Sequence, residues 1–112
     1  MAVIEISKAK GTWVVRGGGA VLGESDRALE LREEGYEPVI YFPREDVAMA
    51  MLEPSETAST CPHKGEASYY SLQTKSMLVE DVAWSYEAPK SGAEEIAGHL
   101  AFYPDKVTVE HV

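Results

Sequence analysis

SDRALELREEG, residues 25–35, admits two readings, and the choice between them sets the fold class. A helix would be capped by Ser25, carry Asp26 in its first turn and end at Gly35. The apolar spacing argues against it. Leu29 and Leu31 alternate with Glu30 and Arg32, whereas a helix would set charged residues three and four positions after Leu29 and leave no apolar stripe. The stretch therefore reads as a strand, pairing through EEGYE (33–37) with PVIYF (38–42) in a hairpin with one wet face.

The flanks read the same way. On the N-terminal side, VIEIS (3–7) and TWVVR (12–16) are β-branched runs spaced like adjacent strands across a glycine turn. The glycines at 17, 18 and 19 lack both GxGxxG spacing and the lysine of a phosphate loop, so a tight turn or bulge is expected. On the C-terminal side Pro43 breaks the strand. REDVAMAML (44–52), with acids early and Val47 and Met51 four apart, predicts a short amphipathic helix whose Met and Ala residues pack into the core. Residues 53–59 are small and polar, which suggests a surface loop. Residues 67–72 and 77–86 predict a hairpin across QTKS, with Leu78, Val82, Trp84 and Tyr86 on one face and Glu80 as the exception. Ser91 and Glu94 have capping-box spacing for a helical turn closed by Gly98. Residues 100–103 and 107–110, either side of PDK, predict a last hairpin. The whole reads as one mainly β domain spanning residues 1–112, with no repeat or linker.

Composition removes several function classes. The chain has 112 residues, 45% of them apolar, enough for a single core. Its 10 basic and 19 acidic side chains give a net charge of −9. Such a surface repels phosphate backbones and anionic leaflets, and no basic cluster offsets it, so neither nucleic acid nor membrane is an expected partner. The longest apolar stretch, 47–52, is far short of the roughly 20 residues a spanning helix needs. With a single cysteine and an N-terminus that alternates apolar and polar residues rather than forming a leader, the expected location is the cytoplasm.

Chemistry concentrates in TCPHKGEASYYSL (60–72). Cys61 and His63 stand two apart, so an extended backbone would send both side chains to one face as thiolate and base; these are the catalytic candidates. A small buried thiol beside a turn proline is the simpler reading. One cysteine and three histidines, with His99 and His111 distant, make a poor zinc set, and no metal or cofactor is expected. Lys64 before Gly65 suits either a small anion or a solvent-exposed turn, and Arg44 could join it in holding an anion, although a surface pair with Glu45 or Asp46 is the simpler account of that arginine. Tyr69, Tyr70, Trp84 and Tyr86 fall on neighbouring strands, where they would either fill the core or wall a pocket.

YFPREDV (41–47), TCPHKGEASYY (60–70), AWSYEAP (83–89) and IAGHLAFYPDKV (96–107) together resemble, in order, the signatures of the bacterial family called domain of unknown function 427. The resemblance runs from about Trp13 to Glu110. It implies a β fold of two packed, tent-like antiparallel sheets with one or two short helices, similar to zinc-binding modules such as the cereblon ligand domain, whose paired CxxC motifs are missing here. It also implies an aromatic ring at the position of His63, and hence a stacking role there. Members are sometimes labelled nucleotidyltransferases; the Gly-Ser turn with a DxD pair that marks such enzymes is not in this sequence. The leading expectation is a module binding a small polar or anionic ligand through Arg44, Cys61, His63, Lys64, Tyr69, Trp84 and Tyr86. The alternatives are an enzyme, nucleotidyltransferase-like or dependent on the Cys61 thiol, and a module that associates with itself or another protein.

Overall fold

The computed structural model describes residues 4–112, so Val3, the first residue of the first expected strand, lies outside the described part. Ten strands follow in chain order among the described residues: β1 (Ile4–Lys8), β2 (Trp13–Gly17), β3 (Ala20–Ser25), β4 (Leu29–Glu33), β5 (Val39–Tyr41), β6 (Leu52–Cys61), β7 (Gly65–Gln73), β8 (Leu78–Ser85), β9 (Ala101–Phe102) and β10 (Thr108–His111). They form antiparallel sheets ordered β1-β4-β5, β10-β2-β3 and β6-β7-β8-β9. The molecule is thus mainly β, with single 3₁₀ turns as its helical content. Among the described residues no helix is long and apolar enough to cross a membrane.

The stretch 25–35 is a strand where its alternation required one. Leu31 is buried and opposes Val39 of β5, and the turn between them closes with the Tyr36 N–H donating to the Glu33 carbonyl. Gly18 and Gly19 form a two-residue hairpin turn at φ 58° and 79°, a left-handed pair that glycine adopts without penalty.

Two of the three sheets are joined edge to edge. Phe42 and Leu100 exchange both backbone hydrogen bonds, at 2.8 and 2.9 Å, which sets β5 beside β9. Alternate residues then feed two cores. Ile40, Phe42, Leu72, Ala83 and Phe102 pack with Val15 and Leu22 of the β10-β2-β3 sheet. Val39, Tyr41, Ala67, Trp84, Tyr86 and Ala101 pack with Leu31 of β4 and Ile96. The second core is only partly roofed, and its open side forms the hollow described below.

Five local expectations are corrected. β1 pairs with β4 rather than β2, its neighbour in sequence, because Ile4 and Ile6 pack into the second core and Val15 into the first. Residues 44–52 are two 3₁₀ turns, Arg44–Asp46 and Met49–Met51, leading into β6; Val47 already bridges to Gly23, which a continuous helix would forbid. Residues 53–59, expected as a loop, belong to β6, which is exposed at the sheet edge and interrupted by a register shift between Pro54 and Ala58. Ser91 makes no capping bond; the Glu94 carboxylate instead accepts from the Gly92 N–H ahead of the turn Glu94–Ile96. β9 and β10 do not pair with each other: one extends the sheet beyond β8 and the other joins β2.

The β7–β8 hairpin formed as expected, but with a bulge. Leu72 opposes Val79 and Tyr70 opposes Ala83, so β8 carries two extra residues there. Asp81 stands in the bulge at φ 50°, a conformation that aspartate tolerates better than most residues. The bulge turns Val82 into the first core and leaves Leu78 in solvent, so these two do not share the face of Trp84 and Tyr86.

Candidate functional site

A hollow of about 560 Å³ opens between β4 and the β7–β8 hairpin. Leu31 and Val39 form its apolar floor. Tyr36, Tyr41, Tyr69, Trp84, Tyr86 and Tyr103 supply six rings, and Glu33, Glu37, Cys61, Pro62, His63 and Lys64 complete the wall. The volume lies within the roughly 300–1,000 Å³ range of small-molecule sites.

Strand pairing explains the convergence. Tyr69 opposes Trp84, so both side chains leave the same face of the sheet. Pro62, His63 and Lys64 are the three-residue loop between β6 and β7, where Cys61 opposes Gly65. The following segment clamps that loop from behind: the Lys90 N–H donates to the Lys64 carbonyl and Lys90 Nζ to the Pro62 carbonyl, both at 3.0 Å. Gly65 stands at φ 108°, so glycine is needed there for the backbone; its side-chain position faces Ala88 and Lys90 rather than a ligand.

The rings hold one another. Trp84 Nε1 donates to the Tyr41 hydroxyl at 3.3 Å, with the two rings edge to face and 6.4 Å between centroids. Trp84 also packs on Tyr103 at 4.5 Å, and Tyr103 lies nearly parallel to Tyr69 at 6.5 Å. Ser59 Oγ and the Tyr69 hydroxyl share a hydrogen bond of 2.9 Å. Burial pushes the Tyr41 phenol well above its ordinary range, against the opposing pull of the Trp84 N–H, and it raises Tyr86 and Tyr103 too. These hydroxyls stay protonated at neutral pH and can donate to a ligand.

The charge in the wall is unusual. Lys64 Nζ donates to Glu33 Oε1 at 2.8 Å, and the two side chains are only 12% and 8% exposed. Burial disfavours the ammonium, but the Glu33 carboxylate together with Tyr86 and Cys61 outweighs that and raises Lys64 overall. Nζ also stands 5.9 Å from the centre of the Tyr86 ring. Next to this pair, Cys61 is held below its ordinary range: burial acts to raise the thiol, but the backbone N–H groups of His63 and Lys64 and the Lys64 ammonium more than offset it.

A family model described as Domain of unknown function (DUF427) matches residues 5–112. The chain belongs to that family. No curated protein matches it.

Of the seven residues singled out in this DUF427 member, Cys61, His63, Lys64, Tyr69, Trp84 and Tyr86 line the one hollow. Cys61 and His63 do not lie on an extended run, because a tight loop separates them and leaves His63 exposed at its tip. Arg44 is elsewhere, on the opposite face of the β7–β8 hairpin. Its Nε donates to the Gly98 carbonyl at 3.0 Å and its Nη2 to Glu87 at 2.6 Å, while Tyr70 and Ser85 complete the cradle. Arg44 is therefore a strut between two loops, paired neither with Lys64 nor with Glu45 or Asp46. Tyr70 belongs to that strut and not to the hollow.

Sequence reasoning missed Glu33, Tyr36, Glu37, Tyr41 and Tyr103. Glu33 carried a usable signal: on a strand it shares the inward face of Leu31, where a carboxylate needs a cation. Tyr103 carried none, since its approach to Tyr69 and Trp84 depends on β9 joining the far side of β8. Among the described residues no three His, Cys, Asp or Glu side chains are grouped to hold a metal ion.

Proposed function

We propose that the hollow binds a small polar ligand that presents a flat or apolar face to the rings and a hydrogen-bonding edge to Lys64 and the tyrosine hydroxyls. One observation carries the reading: an ion pair shielded from water at the wall of an open, ring-lined hollow. Such a pair contributes little net stability, because desolvating two charges offsets their attraction, and a packed apolar pair would serve a purely structural wall as well or better. A charge pair kept at a concave, ring-lined surface matches the pattern of ligand sites, in which a few fixed polar groups converge on a largely apolar pocket.

Because Glu33 already occupies Lys64, a neutral or cationic ligand suits this wall better than an anionic one. A thermal-shift screen of nucleosides, sugars, organic acids and amines tests the reading, with Trp84→Phe and Lys64→Met as controls. Ligands that raise the melting temperature of the native protein and lose the effect in both variants support it. A screen without hits, or hits indifferent to both substitutions, refutes it.

A second reading has its own observation in Cys61, a half-buried thiol in the same hollow whose thiolate is favoured by Lys64 and the adjoining loop. It makes the site a thiol-dependent catalyst or a place of covalent capture. Replacing Cys61 with Ser would abolish turnover or adduct formation while leaving reversible binding intact. The short name of the family model refers to nucleotidyl transfer. That chemistry calls for carboxylates grouped to hold magnesium against phosphate, and of the two in this hollow Glu33 is held by Lys64.

A further inference from the structure

Charges and ring faces in the hollow narrow the class of ligand, and the inference that follows rests on the binding reading above. Three side chains of fixed charge line the site: Lys64, Glu33 and Glu37. Lys64 and Glu33 neutralise each other at 2.8 Å. Glu37 is exposed and joins no ion pair among the described residues. The lining therefore carries net negative charge, within a chain of net charge −9. An arriving anion would meet Glu37 and find no uncommitted cation.

An arriving cation meets the reverse. Aromatic faces carry negative quadrupole potential and attract ammonium groups, tryptophan most strongly. The protein already uses this attraction with its own lysines: Lys64 Nζ stands 5.9 Å from the Tyr86 ring centre, and Lys106 Nζ stands 5.5 Å from that of Tyr103. Among the described residues, Trp84 and Tyr69 line the hollow with no such cation over their rings, their shared aromatic neighbour being Tyr103.

Hydrogen-bond capacity refines the class. A primary ammonium carries three N–H donors that need acceptors once they leave water. Of the carboxylate and phenol acceptors lining the hollow, the Tyr41 and Tyr69 oxygens are already engaged, by Trp84 Nε1 and by Ser59, and Glu33 is held by Lys64, which leaves Glu37 and the hydroxyls of Tyr36, Tyr86 and Tyr103. A quaternary ammonium has no N–H and needs no acceptors, is weakly hydrated, and gains from apolar contact with rings.

We propose that the hollow recognises a small organic cation with a quaternary ammonium group, seated against Trp84 and Tyr69 and balanced by Glu37. The same chemistry occurs in a choline-like molecule and in a trimethylated lysine side chain.

Isothermal titration of the full chain tests this, supported by Trp84 fluorescence in a Trp13→Phe background that leaves one tryptophan. The probes are tetramethylammonium, choline and free trimethyllysine, set against 3,3-dimethylbutan-1-ol as the uncharged isostere of choline and against acetate and inorganic phosphate. Choline should bind at least about tenfold more tightly than its isostere, the difference coming from attraction between charge and rings. Glu37→Gln should weaken choline roughly 3- to 10-fold and leave the isostere unchanged, while Trp84→Leu, or Trp84→Phe if the leucine variant does not fold, should weaken both. Whether choline or trimethyllysine binds more tightly identifies the source of the group, and either preference supports the proposal. Equal affinity for the isostere, or tighter binding of acetate or phosphate, overturns the cation assignment while leaving the small-ligand reading standing. If none of the probes binds, the cation assignment again falls, and the wider melting-temperature screen decides the small-ligand reading on its own.

Discussion

Replacing Lys64 with Met removes one half of an ion pair that is almost sealed from solvent, and its cost follows from the structure. With 2.8 Å between Nζ and Oε1, the attraction is about 6 kcal/mol at an effective dielectric constant near 20. Desolvating each ion costs several kcal/mol, so the intact pair is close to neutral in net effect. The single variant keeps the cost and loses the attraction, since Glu33 remains enclosed at 8% exposure without a partner. The expected destabilisation is about 3 kcal/mol, and the double variant Lys64→Met with Glu33→Leu should return to within about 1 kcal/mol of the native protein. Urea unfolding followed by far-UV circular dichroism measures both, and roughly 10 °C should be lost in Tm for the single variant. The outer pair Arg16–Glu110, about half exposed on both sides, is the internal control and should cost under about 1 kcal/mol when broken. A Lys64→Met loss no larger than that control, or a double variant as unstable as the single one, would show that the pair is solvated and would remove the argument that it is retained for recognition.

Four further outcomes are expected. Alkylation of Cys61 by iodoacetamide should show a pH midpoint below the ordinary thiol value, and Lys64→Met should raise it; the thiolate's contribution to stability is present above the unfolded thiol's pKa and lost as pH falls through the lower folded one. Arg44→Ala should destabilise the fold by about 1–3 kcal/mol, through loss of the bonds to Gly98 and Glu87, yet leave affinity at the hollow unchanged in titration. Phe42→Ala should cost about 3–5 kcal/mol in urea unfolding, because the ring is fully buried and packs edge-on against Phe102 at the junction of two sheets. The Asp81 carboxylate is held below its ordinary range first by the Ser55 hydroxyl and then by Thr57, so its contribution is present above about pH 4 and fades as pH falls through the folded value. Asp81→Asn should therefore flatten the acid limb of a stability-against-pH curve.

Period-two alternation was enough to recover β4, β5 and β7 and to reject a helix at residues 25–35, because a buried face imposes the same spacing wherever a strand lies. Partners across the sheets were harder to read. β1 and β2 are close in sequence but feed opposite cores, and β9 and β10 flank a short turn yet join different sheets. Local pattern contains no term for such long-range choices. The helix expected at 44–52 failed because Val47 is drawn into a bridge with Gly23, a tertiary contact that overrides a weak local periodicity. At the site, the loop 61–64 and the aromatic strands come together on one hollow, since a short hairpin brings its tip beside its own strands. Arg44 was misplaced for the converse reason: Gly98 and Glu87, its partners, are over forty residues away. Glu33 was legible in principle, as a lone carboxylate on the inward face of β4.

Backbone amide chemical shifts, followed while a ligand found by the melting-temperature screen is titrated in, test the central claim most directly. The account predicts saturable shifts concentrated at Glu33, Cys61, Lys64, Tyr69, Trp84 and Tyr86, with Arg44, Tyr70 and the β2–β3 hairpin unmoved. Shifts centred on Arg44 or on the exposed edge of β6, with those six residues silent, would contradict it.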